Sequence, residues 1–190
     1  MQYRESDMPE VELWERFFDP VSILHTLELD HNTKNYVDVG CGFGTFLIPA
    51  AKIISGVAIG IDINQEYLDI CRKRVEQEKL PNIELIKEDL SDGKTSHTIT
   101  QMDIDVDYIS LFNMLHCENP VDLLKWTERL LAAKGKVGVI HWKPQETPRG
   151  PAMAIRPSPS KIRTWGEQAG LKCVKQVDVS SYHYGVLFEK

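Results

Sequence analysis

Apolar residues along the chain follow two different periods, and the places where one gives way to the other outline the elements. Residues 36–39, 57–61, 83–87, 106–112 and 136–142 are short runs led by Val, Ile, Leu and Tyr, as in strands buried on both faces of a sheet. Between them the apolar positions recur every three or four residues. That spacing predicts helices over residues 46–54, closed at Gly56, from an Asn64 cap to residue 78, and from Asn119-Pro120 to a stop at Gly135. A last helix runs from Ser158-Pro159 to residue 169, with Gly170 after it. Two strands follow, 171–179 and 182–189, and the short Ser180-Ser181 link between them predicts a hairpin. Ahead of the first strand, residues 9–18 and 20–29 predict two helices broken at Asp19-Pro20. Residues 91–102 are polar and read as a loop or short irregular helix, and five prolines between residues 141 and 159 predict an ordered, irregular loop.

Strands alternating with helices imply right-handed crossovers and an α/β architecture, a doubly wound and mainly parallel sheet ending in an antiparallel hairpin. The length suits one domain over residues 1–190, with residues 1–30 as an N-terminal helical lid or cap. In such sheets ligands sit outside the carboxyl ends of the strands, where the strand order reverses. The predicted elements bring residues 40–44, Asp62, Asp89, Asn113 and His141 to that edge.

The first of these groups carries the strongest signal. Gly40, Gly42 and Gly44 stand in five residues between a predicted strand and a predicted helix, where a chain needs positive φ or a close approach to a ligand. The helix that follows offers free N–H groups to the turn. At the end of the second strand, Asp62 can accept from both hydroxyls of a ribose. Asp89 repeats the placement on strand three.

Composition is that of a globular protein, with 42% hydrophobic and 26% charged residues. The net charge of -6 and the lack of a dense Lys/Arg cluster rank nucleic acid low as a partner. Cys41, Cys71, Cys117 and Cys173 are scattered without metal-binding spacing, so no metal is expected, and single thiols fit a reducing cytoplasm. The polar N-terminus does not read as a secretory leader, and no apolar run reaches the roughly 20 residues that span a bilayer. A soluble monomer or homodimer is expected.

Two cofactor classes use a strand, glycine turn and helix. A dinucleotide site expects G-x-G-x-x-G/A, whereas this turn reads G-x-G-x-G, with Asp38 two residues before it. A carboxylate there is unfavourable beside a pyrophosphate and favourable beside an ammonium group. Taken with Gly60-Ile61-Asp62-Ile63, Glu88-Asp89-Leu90 and Leu111-Phe112-Asn113-Met114-Leu115-His116, the stretch Asp38-Val39-Gly40-Cys41-Gly42-Phe43-Gly44 resembles the class I S-adenosylmethionine-dependent methyltransferases. The proline-rich segment around Thr147-Pro148-Arg149-Gly150-Pro151 is similar to that of small, uncharacterised bacterial and archaeal members. The resemblance implies a Rossmann-like, seven-stranded fold and S-adenosylmethionine as cofactor. It puts the methionyl part over Gly40, Cys41, Gly42 and Gly44, the ribose on Asp62, and the adenine against Ile63, Asp89 and Leu90. Asp38 would serve the amino group and Asn113 would flank the sulfonium.

The acceptor half is less defined. Methyl transfer from a sulfonium is an in-line displacement, so positioning carries much of it, and a base is needed only if the acceptor loses a proton. His116 and His141 are the candidates for that base, each with packing or binding as the bland alternative. Cys117 as a nucleophile lacks a matching set of cysteines. Phe17 and Phe18 read as core packing or as part of a lid over the acceptor, and Arg149 and Arg156 as solvated loop cations or as a clamp for an acidic acceptor. The amino-methylating Asp/Asn-Pro-Pro-aromatic motif of the family is replaced by Asn113-Met114-Leu115-His116, which lowers adenine or glutamine as acceptors. The leading expectation is methylation of a small molecule. A noncatalytic cofactor-binding module and a nicotinamide-dependent oxidoreductase remain as alternatives.

Overall fold

Strand β1 (Tyr36–Val39) lies in the interior of a seven-stranded sheet and is buried along its whole length. The computed structural model describes residues 14–90, 97–102 and 104–190. The other strands are β2 (Ala58–Asp62), β3 (Ile83–Lys87), β4 (Val106–Phe112), β5 (Leu131–Trp142), β6 (Lys172–Asp178) and β7 (His183–Glu189), in the order β3-β2-β1-β4-β5-β7-β6. The first five run parallel, and β7 is antiparallel to both neighbours, β5 and β6. The order therefore reverses between β1 and β4, which fixes the crevice where a ligand fits.

Six helices are described: α1 (Pro20–Thr26), α2 (Leu47–Ile53), α3 (Gln65–Glu78), α4 (His97–Gln101), α5 (Pro120–Leu130) and α6 (Pro159–Gln168). Their starts follow local chemistry. The Asp19 carboxylate accepts from the Ser22 N–H, Asn64 from those of Glu66 and Tyr67, and Ser158 from that of Lys161. Alternation along β1 then sorts the interior into two layers. Tyr36 faces a cluster with Leu27, Phe46, Leu47, Leu68, Tyr108 and Phe112, while Val37 and Val39 face Ile109, Leu124, Val139, Ile162 and Phe188 on the other side.

Three boundaries depart from the sequence pattern. The helix before β5 stops at Leu130 rather than Gly135, because Leu131 already pairs with Val106; a register shift follows, with Lys134 at φ 65°. Gly56 is not the cap of α2, which closes at Ile54; a Cβ on Gly56 would lie 2.2 Å from the Lys34 carbonyl oxygen, so close packing sets that residue. Helix α1 ends at Thr26, short of residue 29, although Leu27 and Leu29 stay buried. Of the helix expected over residues 9–18, only 14–18 are among the described residues, with Trp14 and Glu15 helical. Of the polar stretch 91–102, residues 97–101 form α4, and 91–96 lie outside the described residues.

Candidate active site at the carboxyl edge of the sheet

The glycine turn leaves β1 with Gly40, Gly42 and Gly44 at φ 74°, 51° and 81°, the left-handed region that only glycine enters freely. The turn is pinned to the next strand, since the N–H groups of Gly40 and Cys41 both donate to the Ile61 carbonyl at 2.8 and 3.0 Å. Beyond it opens a cavity of about 270 Å³. From the turn come Gly40, Cys41, Gly42, Phe43 and Thr45; from the ends of β2 and β3, Asp62, Ile63, Asn64, Glu88 and Leu90; from the end of β4, Phe112, Asn113, Met114 and His116. Trp14 closes it from the N-terminal side.

The polar groups of this cavity are held in place from behind. Asp62 accepts from the Gly42 N–H at 2.9 Å through one oxygen and from the Asn64 N–H at 2.8 Å through the other, which ties the turn to the start of α3. Burial raises its pKa, against the opposing pull of those two N–H groups. Asp38 is buried and accepts from the Ser110 hydroxyl at 2.5 Å. Burial pushes its pKa up to about 7, the Ser110 bond opposing the rise and the Asp62 charge adding to it. Asn113 sits at φ 59°, an uncommon conformation for a residue with a side chain, its N–H donating to the Ile140 carbonyl at 2.8 Å. Two buried oxygens on the cavity, Asn113 Oδ1 and Thr45 Oγ1, have no hydrogen-bond partner in the protein.

Of the residues anticipated for the cofactor, Asp38, Gly40, Cys41, Gly42, Asp62, Ile63, Leu90 and Asn113 line this one cavity. Gly44 stands behind the turn, where a Cβ would come within 2.7 Å of the Cys71 sulfur. Asp89 is exposed and off the cavity; its neighbour Glu88 faces in, because the chain turns just past the end of β3 and alternation selects the first of the two acids.

The acceptor candidates separate more sharply. His116 lines the cavity, whereas His141 is fully buried behind it, its ring 5.4 Å from that of His116, with burial lowering its pKa to about 3. A histidine so weakly basic, and off the cavity, is not placed to take a proton from an acceptor. Arg156 is committed to its own loop, donating to the carbonyls of Pro151, Lys143, Gln145 and Arg149 and lying over the Trp142 ring. Arg149 is exposed and off the cavity. Phe17 packs on Trp142 and Tyr182; Phe18 packs on Trp14, Phe46 and His183, so both stand behind the cavity wall. Burial raises the Cys117 thiol to about 11, which leaves it protonated and a poor nucleophile.

One side of the cavity is aromatic, built from residues that no spacing along the chain brings together. Trp14, Phe46 and Phe112 line it, with the Phe46 and Phe112 rings edge to face at 4.6 Å, and Phe43 meets Tyr67 at 4.8 Å. Arg74 on α3 supports this roof: it donates to the Phe43 carbonyl at 2.8 Å and to Glu15, beside Trp14, at 2.5 Å. No group of three or more His, Cys, Asp or Glu able to hold a metal occurs among the described residues. No helix among them is long and apolar enough to cross a membrane.

Residues 37–135 match the family described as a methyltransferase domain. Among curated relatives, the rRNA N(6)-adenosine-methyltransferase METTL5 of Danio rerio is 39% identical over 67 residues, covering 35% of this chain and 32% of that protein. The demethylmenaquinone methyltransferase of Lactobacillus johnsonii is 30% identical over 107 residues, covering 55% of this chain and 42% of that protein. The chain thus spans less than half the length of either relative. Among solved structures, a SAM-dependent methyltransferase from Aquifex aeolicus superposes with a TM-score of 0.80 at 24% identity, covering 95% of this chain and 93% of that one. The family match spans more than half of the chain, and the sheet order, the glycine turn and the acids at the strand ends agree with it: the chain belongs to the methyltransferase-domain family, with the class I fold of enzymes that use S-adenosylmethionine.

Proposed function

We propose that the protein transfers a methyl group from S-adenosylmethionine to a small acceptor that is uncharged or cationic and has a flat apolar face. The observation that carries this reading is the make-up of the cavity wall. Its described lining holds three carboxylates, Asp38, Asp62 and Glu88, and no Lys or Arg, and the remaining side is aromatic, with Trp14, Phe46 and Phe112. With Asp38 and Asp62 taken by the cofactor's ammonium group and ribose, the wall left to an acceptor carries Glu88 and the aromatic rings and no Lys or Arg to pair with a phosphate or carboxylate. The same wall disfavours a dinucleotide, whose pyrophosphate would face Asp38 and Asp62.

The residues fit the cofactor. When bound, S-adenosylmethionine supplies a methyl group on a positively charged sulfur. Asp62 accepts from the ribose hydroxyls while the backbone of Gly42 and Asn64 fixes its two oxygens. Asp38 holds the ammonium group, Thr45 and Asn113 offer their unpartnered oxygens, and Leu90 and Ile63 cover the adenine. Trp14 caps the cavity and excludes water, with Phe17 and Phe18 packed behind it. His116 is the group placed to take a proton from the acceptor where the reaction releases one. The four cysteines, all unpaired, suit work in a reducing cytoplasm.

A nucleic-acid acceptor is the second reading, supported by the similarity to an rRNA methyltransferase. Calorimetric titration with S-adenosylhomocysteine and with NADH tests the cofactor; binding of NADH alone would overturn the reading. Transfer of labelled methyl is then followed into a panel of small aromatic amines, phenols and quinols and, in parallel, into ribosomal RNA. Label in the RNA and none in the panel would replace the first reading with the second.

A further inference from the structure

We propose that Ser110, backed by Tyr36, is the positioning residue that aims Asp38 at the ammonium group of the cofactor and sets the pH range in which that carboxylate holds it. The inference rests on the cofactor reading above. Asp38 and Ser110 are direct partners in the register of β1 and β4, and Tyr36 lies two residues back on the same face of β1. The three side chains form one buried line: the Tyr36 hydroxyl is 2.7 Å from the Ser110 hydroxyl, which is 2.5 Å from Asp38 Oδ1. Tyr36 and Ser110 are fully buried and neither lines the cavity, so both act only through Asp38. Ser110 has one proton. Given to the carboxylate, it leaves the serine oxygen to accept from Tyr36, and the line reads Tyr36 to Ser110 to Asp38. A hydroxyl bond to a carboxylate is charge-assisted, and a second donor behind it strengthens it.

The other groups facing Asp38 pull the opposite way. Asp62 at the end of β2 adds like charge, and Cys41 on the turn and Cys71 on α3 bring no positive charge. Burial acts in the same direction as Asp62. Among the described residues Ser110 is therefore the group that opposes this rise and favours the ionised form of Asp38, until an ammonium arrives.

The test is the affinity for S-adenosylhomocysteine between pH 5.5 and 9, measured by calorimetry, with 5′-methylthioadenosine as the ligand that lacks the amino-acid group. The wild type should bind S-adenosylhomocysteine more tightly as pH rises through about 7, losing up to about tenfold per pH unit on the acid side. Ser110→Ala should move that midpoint up by about one unit, a loss of about fivefold at pH 7 that approaches tenfold at lower pH and closes by pH 9. Tyr36→Phe should move it the same way by less, Ser110→Thr should restore it, and Asp38→Asn should flatten it. Affinity for 5′-methylthioadenosine should stay within about twofold throughout. A loss in Ser110→Ala that is equal at every pH, or equal for both ligands, would overturn the inference and make Ser110 a packing residue. If the wild type binds neither ligand, the cofactor reading itself fails.

Discussion

Polar side chains crowd both ends of the carboxyl edge of the sheet, but they are spent differently. At the end formed by β3, β2, β1 and β4, acids and amide oxygens point into a cavity, some without a partner, and burial shifts their protonation. At the end formed by β5 and β7, polar groups are turned into the fold and away from the cavity, with the Nε2 atoms of His141 and His183 buried and unpartnered there. Arg156 donates to four carbonyls, Lys143 pairs with Asp178 at 3.0 Å, and His141 and His183 are fully buried. Charge near a predicted site is thus poor evidence of function until its hydrogen bonds are accounted for.

The comparison can be broken from either side. The largest effect belongs to the cavity end: Asp62→Ala should weaken S-adenosylhomocysteine binding by about 3 kcal/mol, through lost charge-assisted bonds to the ribose and a loosened turn, as read by calorimetry. Unchanged affinity would remove Asp62 from the site. Next comes acid stability at the other end. Burial lowers both His141 and His183 to about 3, against about 6.5 for the unfolded chain. The unfolded state therefore binds more protons between these values, so stability is complete above pH 6.5 and falls as pH drops. Each histidine should cost about 2 kcal/mol by pH 5, and a His183→Phe variant should show a flatter acid limb in denaturant unfolding.

Arg156→Met should lower unfolding free energy by about 1–2 kcal/mol and leave cofactor affinity alone; the reverse result would return Arg156 to the acceptor site. The smallest effect is that of Glu15→Gln. The Glu15–Arg74 pair is partly exposed, so its loss should weaken cofactor binding by only about 0.5–1 kcal/mol, with greater cleavage near Trp14 in limited proteolysis.

Much of the site was legible because it depends on local chemistry. Three glycines between a strand and a helix, and an acid at a strand end, announce themselves by spacing. What was misplaced depends on orientation. Glu88 and Asp89 are adjacent, and only the end of β3 decides which one faces in. His141, near the end of β5 and paired with Tyr184 on β7, is buried behind the cavity and does not line it. The aromatic wall joins Trp14, Phe46 and Phe112 from three segments distant in sequence, which no period along the chain connects. The helix end before β5 was set by a strand partner, Val106, rather than by Gly135.

Asn113 carries a consequence for how this chain can be altered. Its left-handed backbone is one that glycine adopts without cost, whereas an asparagine there is disfavoured by about 0.5–1 kcal/mol. Asn113→Gly should therefore melt at a higher temperature while turning over more slowly, a position where durability and catalysis pull apart. Selection for heat tolerance alone would discard the amide; selection for methyl transfer would keep it.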